Sequence, residues 1–525
     1  MAGSETNKLL RGALLLTLAG LIGKLLSAGY RIPLQNLTGD LGFYIYQQVY
    51  PLLGIALVLS LYGFPSAVSK MTAELRGNGK GLSLKSFYFP VFLILFFING
   101  GMFLFLFLNA GQIAVWVGDA NLEPAYRYTS FAFLLVPFVS VLRGVLQGIQ
   151  DMKPTAFSQI GEQFIRVFVI IYAATYIYFQ SGDVYLIGKA AAIAAICGGA
   201  GAILIVGVFF LRKNPVSLEQ FEIPWQFYLK SFVVLGIAAA LNHMVLLVIQ
   251  FADTFTLVPS LMDYGYTKLE AMKAKGVFDR GQPLIQLGTV LGSSFALALI
   301  PSISRERLTS NPKDFYTYIH SALTISFYLA AGAMVGLIVI FPEVNILLFQ
   351  NDQGTLSLRV LVIAIFLSSI AITAGSILQG LGYIKRTAGF ILIALFVKWI
   401  GNQALVPLFG ITGSALATVI SLALLSIMML YALKRRLPEL RVERHINWLA
   451  LSIALTGMCC FLLVSDYLAG DVLSRLGLLF YVLIVVSCGA VLYLFLLLRF
   501  GAFTEKEISM LPFTTLLIRF HRGRK

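Results

Sequence analysis

The stretch Leu146-Gln147-Gly148-Ile149-Gln150-Asp151-Met152-Lys153-Pro154-Thr155-Ala156 returns as Leu378-Gln379-Gly380-Leu381-Gly382-Tyr383-Ile384-Lys385-Arg386-Thr387-Ala388, at a constant offset of 232 residues. Carried onward through apolar sequence, the same offset sets Arg166 on Lys398, so both copies place a cation inside a hydrophobic helix. A weaker echo joins Phe64-Pro65-Ser66-Ala67-Val68-Ser69-Lys70 to Ile300-Pro301-Ser302-Ile303-Ser304-Arg305, each with a proline expected to end or bend its helix. Duplicated halves in an apolar chain point to a transporter with its working site between the halves.

The apolar character is extreme. Hydrophobic residues make up 58% of the 525 and charged residues 12%, against roughly 25% charged in an ordinary soluble domain. Mean hydropathy is +0.86, which excludes a soluble fold. At about 20 residues per crossing, the apolar runs accommodate fourteen spans, starting near residues 12, 43, 87, 128, 157, 185, 230, 282, 316, 358, 388, 412, 447 and 476. The first run is too long for a signal peptide and is read as span one.

With a cytoplasmic N-terminus, 26 cations fall on inner loops and tails and eight on outer ones, which sets the orientation with both termini inside. Basic inner loops facing an anionic leaflet explain the net charge of +15, and no nucleic-acid partner is expected. Cys197, Cys459, Cys460 and Cys488 lie in apolar runs without metal-ligand spacing and read as packing residues; neither metal nor cofactor is expected.

The expected fold is an all-α integral membrane protein of about fourteen transmembrane helices. Residues 1–224 form an N-lobe of spans one to six, 225–437 a C-lobe of spans seven to twelve, and 438–525 two further spans with a basic cytoplasmic tail. Six is even, so both lobes enter the membrane from the same side and are parallel repeats. The segment from Leu211 to Lys230 reads as the cytoplasmic bridge between them. In the longest outer loop, Lys268 to Lys275 reads as a short charged helix.

Charges inside membrane helices cost at least about 2.5 to 3.5 kcal/mol each, so each should face a partner or a cavity. Lys24 and Arg31 are seven residues apart in span one, which puts both on one helix face about 10 Å apart, with Pro33 next to break the helix. They read either as a cationic stripe lining a cavity or as interfacial snorkelling side chains. Arg143, Gln147, Glu162 and Arg166 form a second set. Glu162 to Arg166 is the i,i+4 order that favours an ion pair, so this set reads as a network joining spans four and five, with substrate contact as the alternative. Lys398 has no acid one turn before it; its partner lies elsewhere or is the substrate. In span seven, Asn242 and Asp253 share one face and His243 and Gln250 a neighbouring one, and Arg280 opens span eight as an outer-interface anchor or a cavity residue.

At these residues the chain resembles the multidrug/oligosaccharidyl-lipid/polysaccharide (MOP) exporter superfamily, in the polysaccharide-biosynthesis branch of stage V sporulation protein B, YtgP and MurJ-type lipid II flippases. The carrying motifs are Lys24-x6-Arg31, Tyr62-Gly63-Phe64-Pro65-x3-Ser69-Lys70, Arg143-Gly144-x2-Gln147-Gly148 running into Met152-x-Pro154, and Pro301-x-Ile303-Ser304. The resemblance implies two six-helix lobes in a V-shaped, MATE-like arrangement, with the last two helices forming a groove for a lipid tail. It implies a monomer in the bacterial cytoplasmic membrane, associated with cell-envelope synthesis. There it would flip an undecaprenyl-pyrophosphate-linked saccharide, lipid II-like or another polysaccharide precursor, from the inner to the outer leaflet by alternating access. Lys24, Arg31, Arg280 and Lys398 would form the cationic cavity, and Asp40 resembles an acidic residue of the family after span one.

Two positions depart from that pattern. Span two lacks the arginine of MurJ-like proteins, and span eleven offers Asn402 and Gln403 where a sodium site would need acids. Sodium coupling is therefore not expected, and membrane potential or protons stay open as driving forces. A cation or drug antiporter of MATE type is the alternative, but it would want an acid in span one or seven, and here span one is cationic. No large outer loop with catalytic groups is present to suggest an enzyme.

Overall fold

The computed structural model describes residues 2–180, 182–217, 225–299, 312–440, 445–470 and 474–509, and these residues are almost wholly helical. The long helices are α1 (Ala2–Gly29), α2 (Arg31–Val58), α3 (Phe64–Gly77), α4 (Phe89–Leu108), α5 (Ala132–Gly148), α6 (Lys153–Gln180), α7 (Leu186–Lys213) and α8 (Val245–Asp263). After them come α9 (Lys268–Asp279), α10 (Gly281–Leu299), α11 (Pro312–Val339), α12 (Thr355–Gly380), α13 (Ile384–Phe409), α14 (Ile411–Arg436), α15 (Trp448–Ala469) and α16 (Arg475–Arg499).

Twelve helical runs among the described residues are long and apolar enough to cross a membrane. The first, Leu15–Gly77, has 63 residues. At about 1.5 Å per residue that is roughly three hydrocarbon thicknesses, which leaves room for two crossings. With the 19-residue α10, the fourteen expected helices are accommodated.

The break between α1 and α2 falls at Tyr30, where Pro33 three residues on has no N–H to continue the ladder. Asp40, expected after span one, follows a kink inside α2, where Gly39 takes φ +67°. Pro65, by its sequence, is expected to end or bend its helix. It lies in the first turn of α3, directly after a π-helical segment Leu59–Gly63 within the helical run Leu15–Gly77, so it does not end the helix. Its echo at Pro301, Ile303 and Ser304 lies outside the described residues.

Both copies of the duplicated block form the same turn. After α5, Gln150 takes φ +64° and its N–H donates to the Gln147 carbonyl at 2.9 Å. After α12, Gly382 takes φ +86° and donates to the Gln379 carbonyl at 2.8 Å. The left-handed residues are separated by the 232 residues of the sequence repeat.

By packing, the chain divides into two compact units, Met1–Pro283 with Tyr383–Ser421, and Leu284–Gly382 with Leu422–Lys525. In the first, α6 packs on α7 and α1, α5 on α3, α8 on α13, and α9 on α2. Helix α6 shows why. Its buried stripe carries Ser158, Glu162, Gln163 and Arg166, whereas Phe164, Phe168, Tyr172 and Tyr176, spaced one turn apart, are exposed. Polar groups seek protein partners and aromatic rings face outward, as lipid requires.

In the second unit, hydroxyl pairs bridge helices, Thr289 with Ser368 at 2.7 Å and Ser326 with Thr373 at 2.9 Å. Asn447 and Ser474 cap α15 and α16, their side chains accepting from Ala450 N–H and Gly477 N–H. Helices α15 and α16 pack together, and Tyr493 Oη donates to the Tyr328 carbonyl on α11 at 2.7 Å. Three of the four cysteines, Cys197, Cys460 and Cys488, are exposed, contrary to the packing role expected of them.

Candidate functional site

The polar side chains singled out in the sequence all lie in the first unit, in four clusters. Arg31 is fully buried at the start of α2. Its guanidinium carbon lies 3.9 Å from the centroid of the Tyr50 ring, and its Nη2 donates weakly to Ser27 Oγ at 3.4 Å. Among the described residues, Nε and Nη1 have no hydrogen-bond partner and Arg31 makes no ion pair. Tyr30 and Tyr46 beside it bond each other through their hydroxyls. A cation–π contact with a desolvated arginine returns about 2 kcal/mol, less than the several kcal/mol its desolvation costs. Lys24, half-buried on α1, likewise makes no ion pair among the described residues.

Arg280, at the end of α9, is different. Both oxygens of Asp40 lie 2.6 Å from its Nη2, and Oδ1 lies 2.9 Å from Nε. Asp40 also accepts from Gln35 Nε2 at 3.0 Å. The kink at Gly39 aims the carboxylate, and Gly276 lets the helices approach: a Cβ there would lie 2.1 Å from the Asp40 carbonyl oxygen. Arg280 is thus already neutralised.

Lys398 is neutralised as well. Its Nζ lies 2.8 Å from Asp253 Oδ1, so the missing acid of α13 is supplied by α8. Asn402 Nδ2 donates to the same oxygen at 2.8 Å and to Thr256 Oγ1 at 2.7 Å. Neither Arg280 nor Lys398 offers the free charge that a cavity wall would need.

In the third cluster Glu162 bridges two arginines, accepting from Arg143 Nη2 and Arg166 Nη2 at 3.0 Å each. Arg143 also donates to Ser158 Oγ at 3.0 Å, and Gln147 donates to Thr155 Oγ1 at 3.2 Å. This joins α5 to α6 across the first elbow. One carboxylate between two guanidiniums leaves one positive charge over, facing a cavity of about 20 Å³ lined by Ser60, Glu162 and Arg166, the volume of one water.

The fourth set is divided by a break. Met244, with φ −118°, separates the short helix Ile237–His243 from α8, so the shared faces expected across span seven do not extend over it. Asn242 Nδ2 donates to the Ile384 carbonyl at 3.2 Å, tying that helix to the second elbow. His243 stacks on Tyr62 with ring centroids 4.2 Å apart, and Gln250 Nε2 donates to Gln282 Oε1 at 2.8 Å.

Six cations of these clusters therefore face three carboxylates. The excess is concentrated at Lys24, Arg31 and the arginine pair. Sequence reading missed the tyrosines around Arg31, although Tyr46 and Tyr50 stand one helical turn apart, and missed Ser414 and Thr418 around Lys398. No group of His, Cys, Asp and Glu suited to a metal occurs among the described residues.

The helices and their internal repeat define a multi-pass membrane protein. The solved inward-closed structure of lipid II flippase MurJ matches 92% of this chain and 98% of its own length with a TM-score of 0.63, at 16% identity. An inward-facing MATE-family multidrug transporter matches 81% of this chain and 95% of its own, with a TM-score of 0.57 at 14% identity.

The chain belongs to the polysaccharide biosynthesis protein family, whose model matches residues 9–307. Among its relatives, membrane protein YabM of Bacillus subtilis is 36% identical over the whole chain and 98% of its own length. Lipid II flippase MurJ of the same organism is 25% identical over 79% of the chain and 80% of its own length.

Proposed function

We propose that this chain flips a lipid-linked saccharide pyrophosphate, carried on an undecaprenyl tail, from the inner to the outer leaflet of a bacterial plasma membrane. The observation that carries this reading is Arg31, a fully buried guanidinium with two N–H-bearing nitrogens that have no hydrogen-bond partner, and no ion pair, among the described residues. A pyrophosphate offers the acceptors and the charge that such a group lacks, in charge-assisted hydrogen bonds of about twice the ordinary strength. Lys24 supplies a second cation on the preceding helix. The family membership and the likeness to a lipid II flippase support the same cargo class. Alternating access would work between lobes 1–224 and 225–437, with both termini cytoplasmic, by the distribution of basic residues.

The antiporter reading needs a carboxylate free to exchange protons for cations. Glu162 and Asp253, on α6 and α8, are each held by arginine or lysine, which disfavours it.

The test is complementation of a strain depleted of its own flippase, with lipid-linked precursors of peptidoglycan, teichoic acid and capsule measured separately. Arg31→Ala and Lys24→Ala are expected to accumulate in the membrane yet fail to support growth, with one precursor class building up inside. Full growth by both variants removes the assignment, and dye efflux that falls while no precursor accumulates favours the antiporter.

A further inference from the structure

The first unit holds a second, larger cavity, of about 490 Å³, at the end of α6 opposite the elbow. It lies between the turn Ala120–Leu122, with the helix Glu123–Ser130 that follows, and the start of α7. By the distribution of basic residues this is the outer end. Its wall shares no residue with the four clusters.

The wall carries Asn121, Glu123, Asp183, Tyr185 and Lys189. Tyr185 is held from behind, its hydroxyl donating to Asp119 Oδ2 at 2.9 Å, and Asp119 is fully buried. The other oxygen of Asp119 accepts from the Asn121 N–H at 3.3 Å and lies 3.6 Å from Lys268 Nζ of α9. One buried carboxylate therefore fixes both the ring and the turn that carries Asn121. Preorganisation of this kind marks a binding wall, since the ring need not be ordered when a ligand arrives.

The charges define what fits. Glu123 is paired with Arg127 at 2.7 Å, and Asp183 uses Oδ1 to accept the Tyr185 N–H at 2.9 Å. Lys189 is half-buried and makes no ion pair among the described residues. Two carboxylates against one ammonium disfavour an anion, and the ammonium disfavours a metal ion. A neutral solute rich in hydroxyls meets neither objection. Carboxylates accept from its hydroxyls, ammonium and amide donate to them, and a flat ring covers its C–H face. The volume falls within the roughly 300–1,000 Å³ of small-ligand sites.

We propose that this cavity is a saccharide-binding site, in which Tyr185 stacks on a sugar ring while Asp183, Lys189 and Asn121 hydrogen-bond its hydroxyls. Its outer placement rests on the orientation used for the flippase reading; binding itself does not, and it is measured without transport. The sugar comes either from a head group delivered by this chain or from glycan already outside.

The test uses the full-length protein in lauryldimethylamine oxide, a detergent that contains no sugar. It is titrated with cellobiose, diacetylchitobiose and tetraacetylchitotetraose by saturation-transfer NMR. Wild type is expected to bind saturably. Tyr185→Ala should weaken binding about tenfold and Lys189→Ala, which removes no internal contact, about threefold. Arg31→Ala should bind as the wild type does, whatever its effect on growth. A tetramer bound more tightly than the dimer assigns the cavity to polymerised glycan, and equal affinities assign it to a head-group sugar. Absence of saturable binding of all three by the wild type overturns the proposal. So does binding that neither cavity variant weakens, or that Arg31→Ala abolishes.

Discussion

Asp40 grips Arg280 with both carboxylate oxygens, each 2.6 Å from Nη2, across 240 residues of sequence. Arg280 is fully buried and the pair ties the kink of α2 to the end of α9. Asp40→Ala strands the guanidinium without its counter-ion and should cost about 3 kcal/mol, read as a lower melting temperature in detergent. Replacing both partners, Asp40→Leu with Arg280→Met, should recover most of that loss, since an apolar pair of similar volume carries no uncompensated charge. A double variant no more stable than Asp40→Ala would contradict this account.

Glu162 stands between two arginines, so the three positions are not equivalent. Glu162→Gln leaves two buried guanidiniums facing each other and should be the most damaging, by about 3 to 5 kcal/mol. Arg166→Ala leaves the neutral Arg143–Glu162 pair intact and should be the mildest. Melting temperatures of the three single variants, with Arg143→Ala between, give the order; equal losses would show that the cluster is not held by charge.

Helix α9 opens with a capping box in which Thr267 Oγ1 accepts from the Glu270 N–H and the Glu270 carboxylate accepts from the Thr267 N–H. The hydrogen bond from the Thr267 side chain, and then that from its backbone, hold the Glu270 carboxyl below its ordinary value near 4.5. A carboxylate whose folded pKa is depressed stabilises the fold above the unfolded value and loses that contribution as pH falls through the folded one. Amide exchange across Lys268–Met272, corrected for intrinsic rate, should show less protection at pH 3 than at pH 7. Thr267→Ala should show the lower protection already at pH 7. Unchanged protection in the variant would separate the cap from the helix start.

Much of the architecture is legible in the sequence because lipid imposes it locally. Apolar length gives the helices, and the repeated Gln-Gly block gives two elbows with left-handed residues at the same offset. The i,i+4 spacing of Glu162 and Arg166 gives their pair, since helical geometry alone brings them together. Counter-ions from distant helices leave no such trace. Nothing near Lys398 announces Asp253, and nothing near Arg280 announces Asp40, because packing of α8 on α13 and of α9 on α2 decides both. The tyrosines around Arg31 were hidden for another reason: in an aromatic-rich chain, Tyr46 and Tyr50 read as ordinary helix surface.

The long-range ion pairs also set a problem of timing during synthesis. Asp40 enters the membrane while Arg280 is still 240 residues from being made, and Asp253 likewise precedes Lys398. Each acid therefore precedes by a long stretch of chain the helix that carries its cation, and an unpaired charge in the membrane is costly. The two long-range pairs thus make the early helices α2 and α8 depend for neutralisation on segments made later.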